Sequence, residues 1–209
     1  MNPWDEYIER WQADSRGMVL ASMADWKDSF FPEDWISEVR GDAFELGPGG
    51  GRQTAILAKN KCSIDIADLS KEILDAIKNT LSIRGTYLLQ RESTPPRGTR
   101  RYDAFIACYV FCHCSFYEMW KYLNWAGENV RIGGTAIFDV KEIREENWDE
   151  VQNYYFPCNG RRYGTGEFQI RFVSEETIKC LCRHTGFEIV ERRQYPLGTA
   201  AYRVMAVKK

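Results

Sequence analysis

Residues 43–51 read Ala43-Phe44-Glu45-Leu46-Gly47-Pro48-Gly49-Gly50-Gly51, and this stretch decides the fold. A short apolar run makes a strand, the glycines make a tight turn, and Arg52 to Lys59 follows as a helix. Such a turn lets backbone approach a ligand closely and aims the first helical amides at a negative group. A plain steric turn also needs glycine, so the spacing carries the weight. A dinucleotide fingerprint wants its third glycine at position 52, where Arg52 stands; the pattern here is Gly47-x-Gly49-x-Gly51. Asp68 lies 17 residues after Gly51, at the expected end of the second strand. A carboxylate there can accept hydrogen bonds from both hydroxyls of a ribose, and it can equally cap the helix that begins near Ser70. Asp65, in the same strand, takes the ribose role if the register shifts slightly; Asp68 is preferred.

Outward from the turn, strand and helix patterns alternate. Cys62 to Ala67 reads as a strand, Ser70 caps a helix through Thr80, and Tyr87 to Leu89 is a third strand. Asp103 to Phe111 is an almost uninterrupted apolar run, as expected of a strand buried on both faces. A helix over Phe116 to Asn129 leads through Gly133-Gly134 to a strand at Thr135 to Val140. This alternation predicts an α/β fold, doubly wound, with a mostly parallel sheet and helices on both faces. Near the end a helix over Glu175 to Thr185 stops at Gly186. Two strands then follow with no helix between them, Phe187 to Arg193 and Ala201 to Lys208, so that pair must be antiparallel. Residues 3 to 40 read as helical, broken by Pro32 before a short helix at Trp35 to Val39.

The 209 residues, 44% hydrophobic and 28% charged, suit one globular domain. Its expected parts are an N-terminal helical lid (1–40), a cofactor-binding half (41–140), a substrate-side insertion (141–172) and a C-terminal helix with its strand pair (173–209). A net charge of −2 offers no positive field for nucleic acid. No run of eighteen apolar residues and no basic-then-apolar leader pattern is present, so the expectation is a cytoplasmic protein with no membrane partner, as monomer or homodimer. The seven cysteines are odd in number and irregular in spacing, which fits reduced thiols better than a disulfide framework. The clusters Cys108/Cys112/Cys114 and Cys180/Cys182/His184 match no common zinc arrangement, and no metal is expected.

Taken together these stretches resemble the class I S-adenosylmethionine-dependent methyltransferases, from Asp42 to Lys209. Phe44 to Gly51 looks like the family's first motif and Asp68 to Leu74 like its second. Leu89 to Ser93 stands in the place of the third, Tyr102 to Ile106 and Val110 to His113 in that of the fourth strand and its end. Asn129 to Gly134 and Thr185 to Val190 match two later landmarks. The resemblance implies a seven-stranded sheet with its last strand antiparallel, and S-adenosylmethionine as cofactor. It also implies roles. Glu45 would organise the loop and attract the cofactor's ammonium group, while Gly47, Gly49 and Gly51 line its methionine portion. Asp68 would hold the ribose, Leu69 would pack on the adenine, and Cys108 and Tyr109 would sit beside the sulfonium. Glu92 would read the adenine amino edge; Asp is usual there, and the extra methylene leaves Gln90 or backbone as the alternative contact.

A sulfonium methyl is already activated, so such an enzyme has mainly to align the reacting atoms and exclude water. A general base helps when the nucleophile carries a proton. Of two histidines, His184 falls late in a helix, whereas His113 follows the fourth strand at the rim and is the candidate base. Recognition of a small-molecule acceptor falls to the aromatic and arginine-bearing flanking segments, with Trp11, Tyr154, Arg161 and Tyr163 as candidates. The absence of an Asn/Asp-Pro-Pro-Tyr/Phe motif in Ala107-Cys108-Tyr109-Val110 argues against methylation of a base or glutamine amide. Transfer to an O or N atom of a metabolite, sugar or natural-product intermediate is the leading expectation. A protein side-chain methyltransferase and a cofactor-binding module without catalysis are the alternatives.

Overall fold

A computed structural model describes residues 32–90, 93–96, 101–144, 172–195 and 199–207. The elements are α1 (Glu33–Ser37), β1 (Asp42–Leu46), α2 (Arg52–Lys59), β2 (Ser63–Asp68), α3 (Lys71–Thr80), β3 (Gly85–Leu88) and β4 (Tyr102–Ala107). After a 3-10 turn (Phe111–His113) come α4 (Phe116–Asn129), β5 (Val130–Glu142), β6 (Phe172–Val173), α5 (Glu175–Thr185), β7 (Phe187–Gln194) and β8 (Thr199–Ala206). The strands form one sheet in the order β3-β2-β1-β4-β5-β8-β7, with β6 paired to β5 off that path. The pairings from β3 through β5 are parallel, and β8 runs antiparallel to both β5 and β7. The fold is therefore the expected mostly parallel α/β sheet with its last strand reversed, with eight strands rather than seven because the two-residue β6 adds to the end of β5. The bulk of the lid and of the 141–172 insertion lies outside the described residues.

Alternation along the central strands divides the core into two layers. Phe44, Phe105, Ala136 and Phe138 face α4 and α5, where the Phe44 and Trp125 ring centroids are 4.4 Å apart. Ala43, Ala104, Ile106 and Ile137 face the other way, onto Trp35, Leu57, Leu74 and Ile77 of α1, α2 and α3. Each fully buried large side chain contributes about 1.5–3 kcal/mol by leaving water. A strand apolar on both faces, flanked by amphipathic helices, has no other way to bury both sets.

Local signals place the helix starts. Ser70 Oγ accepts from the Ile73 N–H at 3.3 Å, and Ser174 Oγ accepts from the Thr177 N–H at 3.2 Å. Ser115 and Glu118 form a reciprocal capping box. Gly186, at φ +85°, ends α5 in the left-handed region.

Several bounds need correction, among them β3, which spans Gly85–Leu88 rather than Tyr87 to Leu89. β4 stops at Ala107, not Phe111, because the chain turns at Tyr109, whose φ is +55°. β5 begins at Val130 rather than Thr135; Gly133 (φ +78°) is absorbed within it, beside the register shift between Tyr102 and Ala104. α1 covers Glu33–Ser37, two residues ahead of the expected Trp35 to Val39.

The N-terminal halves of the strands are tied by ion pairs. Arg84 donates to both carboxylate oxygens of Asp65 at 2.9 and 2.7 Å and also pairs with Asp42. The Tyr102 hydroxyl donates to Asp65 at 2.7 Å. Asp103 pairs with Arg131 and accepts from the Asp42 N–H at 2.7 Å.

Candidate functional site

Register brings the candidate residues to one edge. Leu46 lies opposite Ala67 and Ala107, and Ala107 lies opposite Phe138. The next residue on each strand, Gly47, Asp68, Cys108 and Asp139, therefore stands in one row across β1, β2, β4 and β5. In open α/β sheets ligands bind beyond this carboxyl edge.

Gly47, Gly49 and Gly51 have φ of +63°, +52° and +79°, so all three need the left-handed region that glycine alone enters freely. They differ in surroundings. A Cβ on Gly47 would lie 2.5 Å from Val110 Cγ2, whereas one on Gly49 would meet nothing within 4 Å among the described residues. The turn thus packs against the loop after β4 at Gly47, and at Gly49 none of the described residues crowds it. Gly51, which has no side chain to cap with, is the N-cap of α2. Its amide donates to the Pro48 carbonyl at 2.9 Å, which closes the turn.

Glu45 is buried beneath this turn, 1% exposed, and accepts from the Thr54 hydroxyl of α2 at 2.7 Å. Burial raises its pKa from 4.5 to about 7; the Thr54 hydrogen bond opposes the shift and the Asp68 charge adds to it. Asp68 ends β2, and its Oδ1 accepts from the Ser70 N–H at 2.9 Å. It is a helix-start ligand, a role compatible with a second one. Asp65 points elsewhere, into the Arg84 and Tyr102 cluster at the opposite end. Leu69 packs against the α4-side core.

Cys108 is buried, and burial followed by the charges of Asp139 and Glu45 pushes its thiol pKa well up. Tyr109 holds its left-handed turn with its N–H bonded to Asp139 Oδ1 at 2.6 Å. Burial, then the Asp139 charge, raises its phenol pKa. His113 is half-buried in the 3-10 turn that follows, and desolvation lowers its pKa from 6.5, which keeps the imidazole neutral near pH 7. His184 is exposed on α5, with Nδ1 2.9 Å from the Cys180 carbonyl. Among the described residues six cysteines are free thiols, all buried except Cys180.

The structure thus gathers Glu45, the three glycines, Asp68, Leu69, Cys108, Tyr109 and His113 around one edge. Glu92, Trp11, Tyr154, Arg161 and Tyr163 lie outside the described residues. Sequence reasoning missed Asp139 and Thr54. Asp139 had a visible signal, a lone acid in the apolar run Ala136-Ile137-Phe138-Asp139-Val140, since an acid rarely sits fully buried without a partner. Among the described residues no helix is long and apolar enough to cross a membrane.

The sequence matches no protein-family model and no curated protein. Solved structures do match. A S-adenosylmethionine-dependent methyltransferase from Clostridium acetobutylicum is 16% identical over 99% of this chain and 100% of that one, with a TM-score of 0.64. Magnesium protoporphyrin IX methyltransferase from Synechocystis, with S-adenosylhomocysteine bound, is 13% identical over 83% of this chain and 80% of its own, at 0.61. Human N-acetylserotonin methyltransferase in complex with S-adenosylmethionine is 13% identical over 80% of this chain and 48% of its own, at 0.55. Identities this low establish the fold, which is that of the class I S-adenosylmethionine-dependent methyltransferases.

Proposed function

We propose that this protein binds S-adenosylmethionine at the carboxyl edge of β1, β2, β4 and β5 and transfers its methyl group to an O or N atom of a small molecule. The observation that carries the reading is the pairing of the left-handed turn at Gly47, Gly49 and Gly51 with Asp68 at the end of the adjacent strand. The residues present fit the group. Among the described residues nothing comes within 4 Å of where a Gly49 Cβ would stand, and a buried carboxylate, Glu45, underlies the turn where an ammonium group would rest. When bound, the cofactor supplies a methyl carbon on a positively charged sulfur, ready for attack without further activation.

The chain's own residues then position and protect. Asp68 holds the ribose hydroxyls, Leu69 covers the adenine, and backbone at Gly47 and Gly49 lines the methionine portion. Cys108 and Tyr109 close the site near the sulfur. The donor would supply the methyl carbon and keep the electron pair of its carbon–sulfur bond, and the acceptor O or N would supply the pair for the new bond. The acceptor's proton goes to His113, whose neutral imidazole can take it. A small acceptor is supported by the substrates named for the Synechocystis and human structures and by the aromatic flanking segments.

Calorimetric titration with S-adenosylmethionine tests the reading. Wild type should bind, and Asp68→Ala should bind about tenfold to a hundredfold more weakly, the loss of charge-assisted hydrogen bonds. Equal affinities would remove Asp68 from the site, and no binding by wild type would end the proposal. A screen of small acceptors with labelled methyl donor then identifies the substrate.

A further inference from the structure

We infer that Asp139 is a positioning residue for the methyl-donor site: its carboxylate holds the Cys108-Tyr109-Val110 turn in the shape that seats Val110 against Gly47. The inference rests on the function proposed above. Three observations meet at this point. Asp139 is 1% exposed in the central strand β5, between Phe138 and Val140. Burying a carboxylate is costly unless it is hydrogen-bonded, so its presence there calls for a task. That task is visible as the 2.6 Å bond from the Tyr109 N–H.

Tyr109 in turn has φ +55°, a conformation that a residue with a Cβ adopts only when its surroundings impose it. The imposed turn directs Val110 toward the glycine loop, where its Cγ2 occupies the space a Gly47 side chain would need. The same turn leads directly into the next. The His113 N–H donates to the Val110 carbonyl at 3.0 Å, so the 3-10 turn bearing the candidate base is built on the segment Asp139 anchors. One side chain on β5 therefore sets the spacing between the glycine turn of β1 and the loop after β4. Those are the two walls of the methionine half of the site, whereas Asp68 and Leu69 belong to the adenosine half.

That division makes the role separable from plain stability. In Asp139→Leu, which has the same branched skeleton but no acceptor, the Tyr109 amide should exchange about tenfold or more faster with solvent in the free protein. Affinity for S-adenosylmethionine should fall about tenfold, while affinity for adenosine, which lacks the methionine half, stays within about twofold. Asp139→Asn keeps an oxygen acceptor and should restore both Tyr109 protection and cofactor affinity to within a few-fold of wild type. If the leucine variant does not fold, Asp139→Ser, whose hydroxyl ends short of the Tyr109 N–H, makes the same comparison. Unchanged Tyr109 exchange, or equal losses for S-adenosylmethionine and adenosine, would overturn the inference. The exchange measurement needs no ligand, so failure of wild type to bind the cofactor would sink the proposed function and still leave the anchor tested.

Discussion

Replacing Glu45 by Gln should stabilise the protein at alkaline pH and cost it cofactor affinity. Glu45 is 1% exposed, its hydrogen-bond donor is the neutral Thr54 hydroxyl, and burial lifts its pKa from 4.5 to about 7. The folded state therefore holds this proton more tightly than the unfolded chain does. The stabilisation this linkage gives is fully present below about pH 4.5, is lost as pH rises toward 7, and is flat above that. Integrating between the two values gives a cost of about 3 kcal/mol at pH 8, of which about 2 kcal/mol accumulates between pH 5 and pH 8. Gln keeps an acceptor for Thr54 and carries no charge, so the variant lacks this slope. Groups common to both proteins, Asp139 included, cancel in the difference. Urea unfolding of the pair at several pH values should show the variant gaining about 2 kcal/mol on wild type from pH 5 to pH 8. In thermal scans that corresponds to about 4–8 °C. Calorimetry at pH 8 should show weaker S-adenosylmethionine binding in the more stable variant. A difference that stays constant with pH would mean that Glu45 ionises without penalty, and the burial argument would fail.

Two further substitutions separate packing from site. Gly127→Ala, helix-favouring on an open surface, should here destabilise by about 1–3 kcal/mol in a thermal or urea melt, because its Cβ would lie 1.9 Å from the Thr185 carbonyl at the end of α5. Asp65→Asn should cost about 1–2 kcal/mol of stability, reduced from the fully buried case because Arg84 is 21% exposed. It should leave S-adenosylmethionine affinity unchanged; a loss matching that of Asp68→Ala would return Asp65 to the ribose role.

Much of the fold could be read locally because its punctuation is local. α2, α4 and α5 occupy the residues expected from sequence, since Gly51, Ser115, Ser174 and Gly186 mark their ends by short-range chemistry. β4 ends short of its apolar run for the opposite reason. Asp103 to Phe111 contains no Gly or Pro, and the strand gives way to a turn whose Tyr109 N–H donates to Asp139, thirty residues away. The Gly133-Gly134 pair misled in reverse, since glycine reads as linker whether it ends a strand or bends within one. Asp68 and Asp65 could not be parted by spacing; their partners part them, Ser70 for one, Arg84 and Tyr102 for the other.

Those partners show how one sheet sorts its acids. At the N-terminal end, Asp42 and Asp65 are held by Arg84 and Asp103 by Arg131, so each charge is met by a cation of the chain itself. At the carboxyl end, Glu45 takes its hydrogen bond from a hydroxyl and Asp139 from a backbone amide, and burial pushes both pKa values up to about 7. Lys141 moderates Asp139, but only as a lesser influence than burial and the Tyr109 amide. A carboxylate held by neutral donors gains most when a cation arrives, because attraction in a dry site is far stronger than in water. In the first arrangement the chain answers its own charges. The second is what a ligand carrying both an ammonium and a sulfonium charge would find useful, and its cost to the empty protein is the reason Glu45→Gln should come out more stable and bind less well.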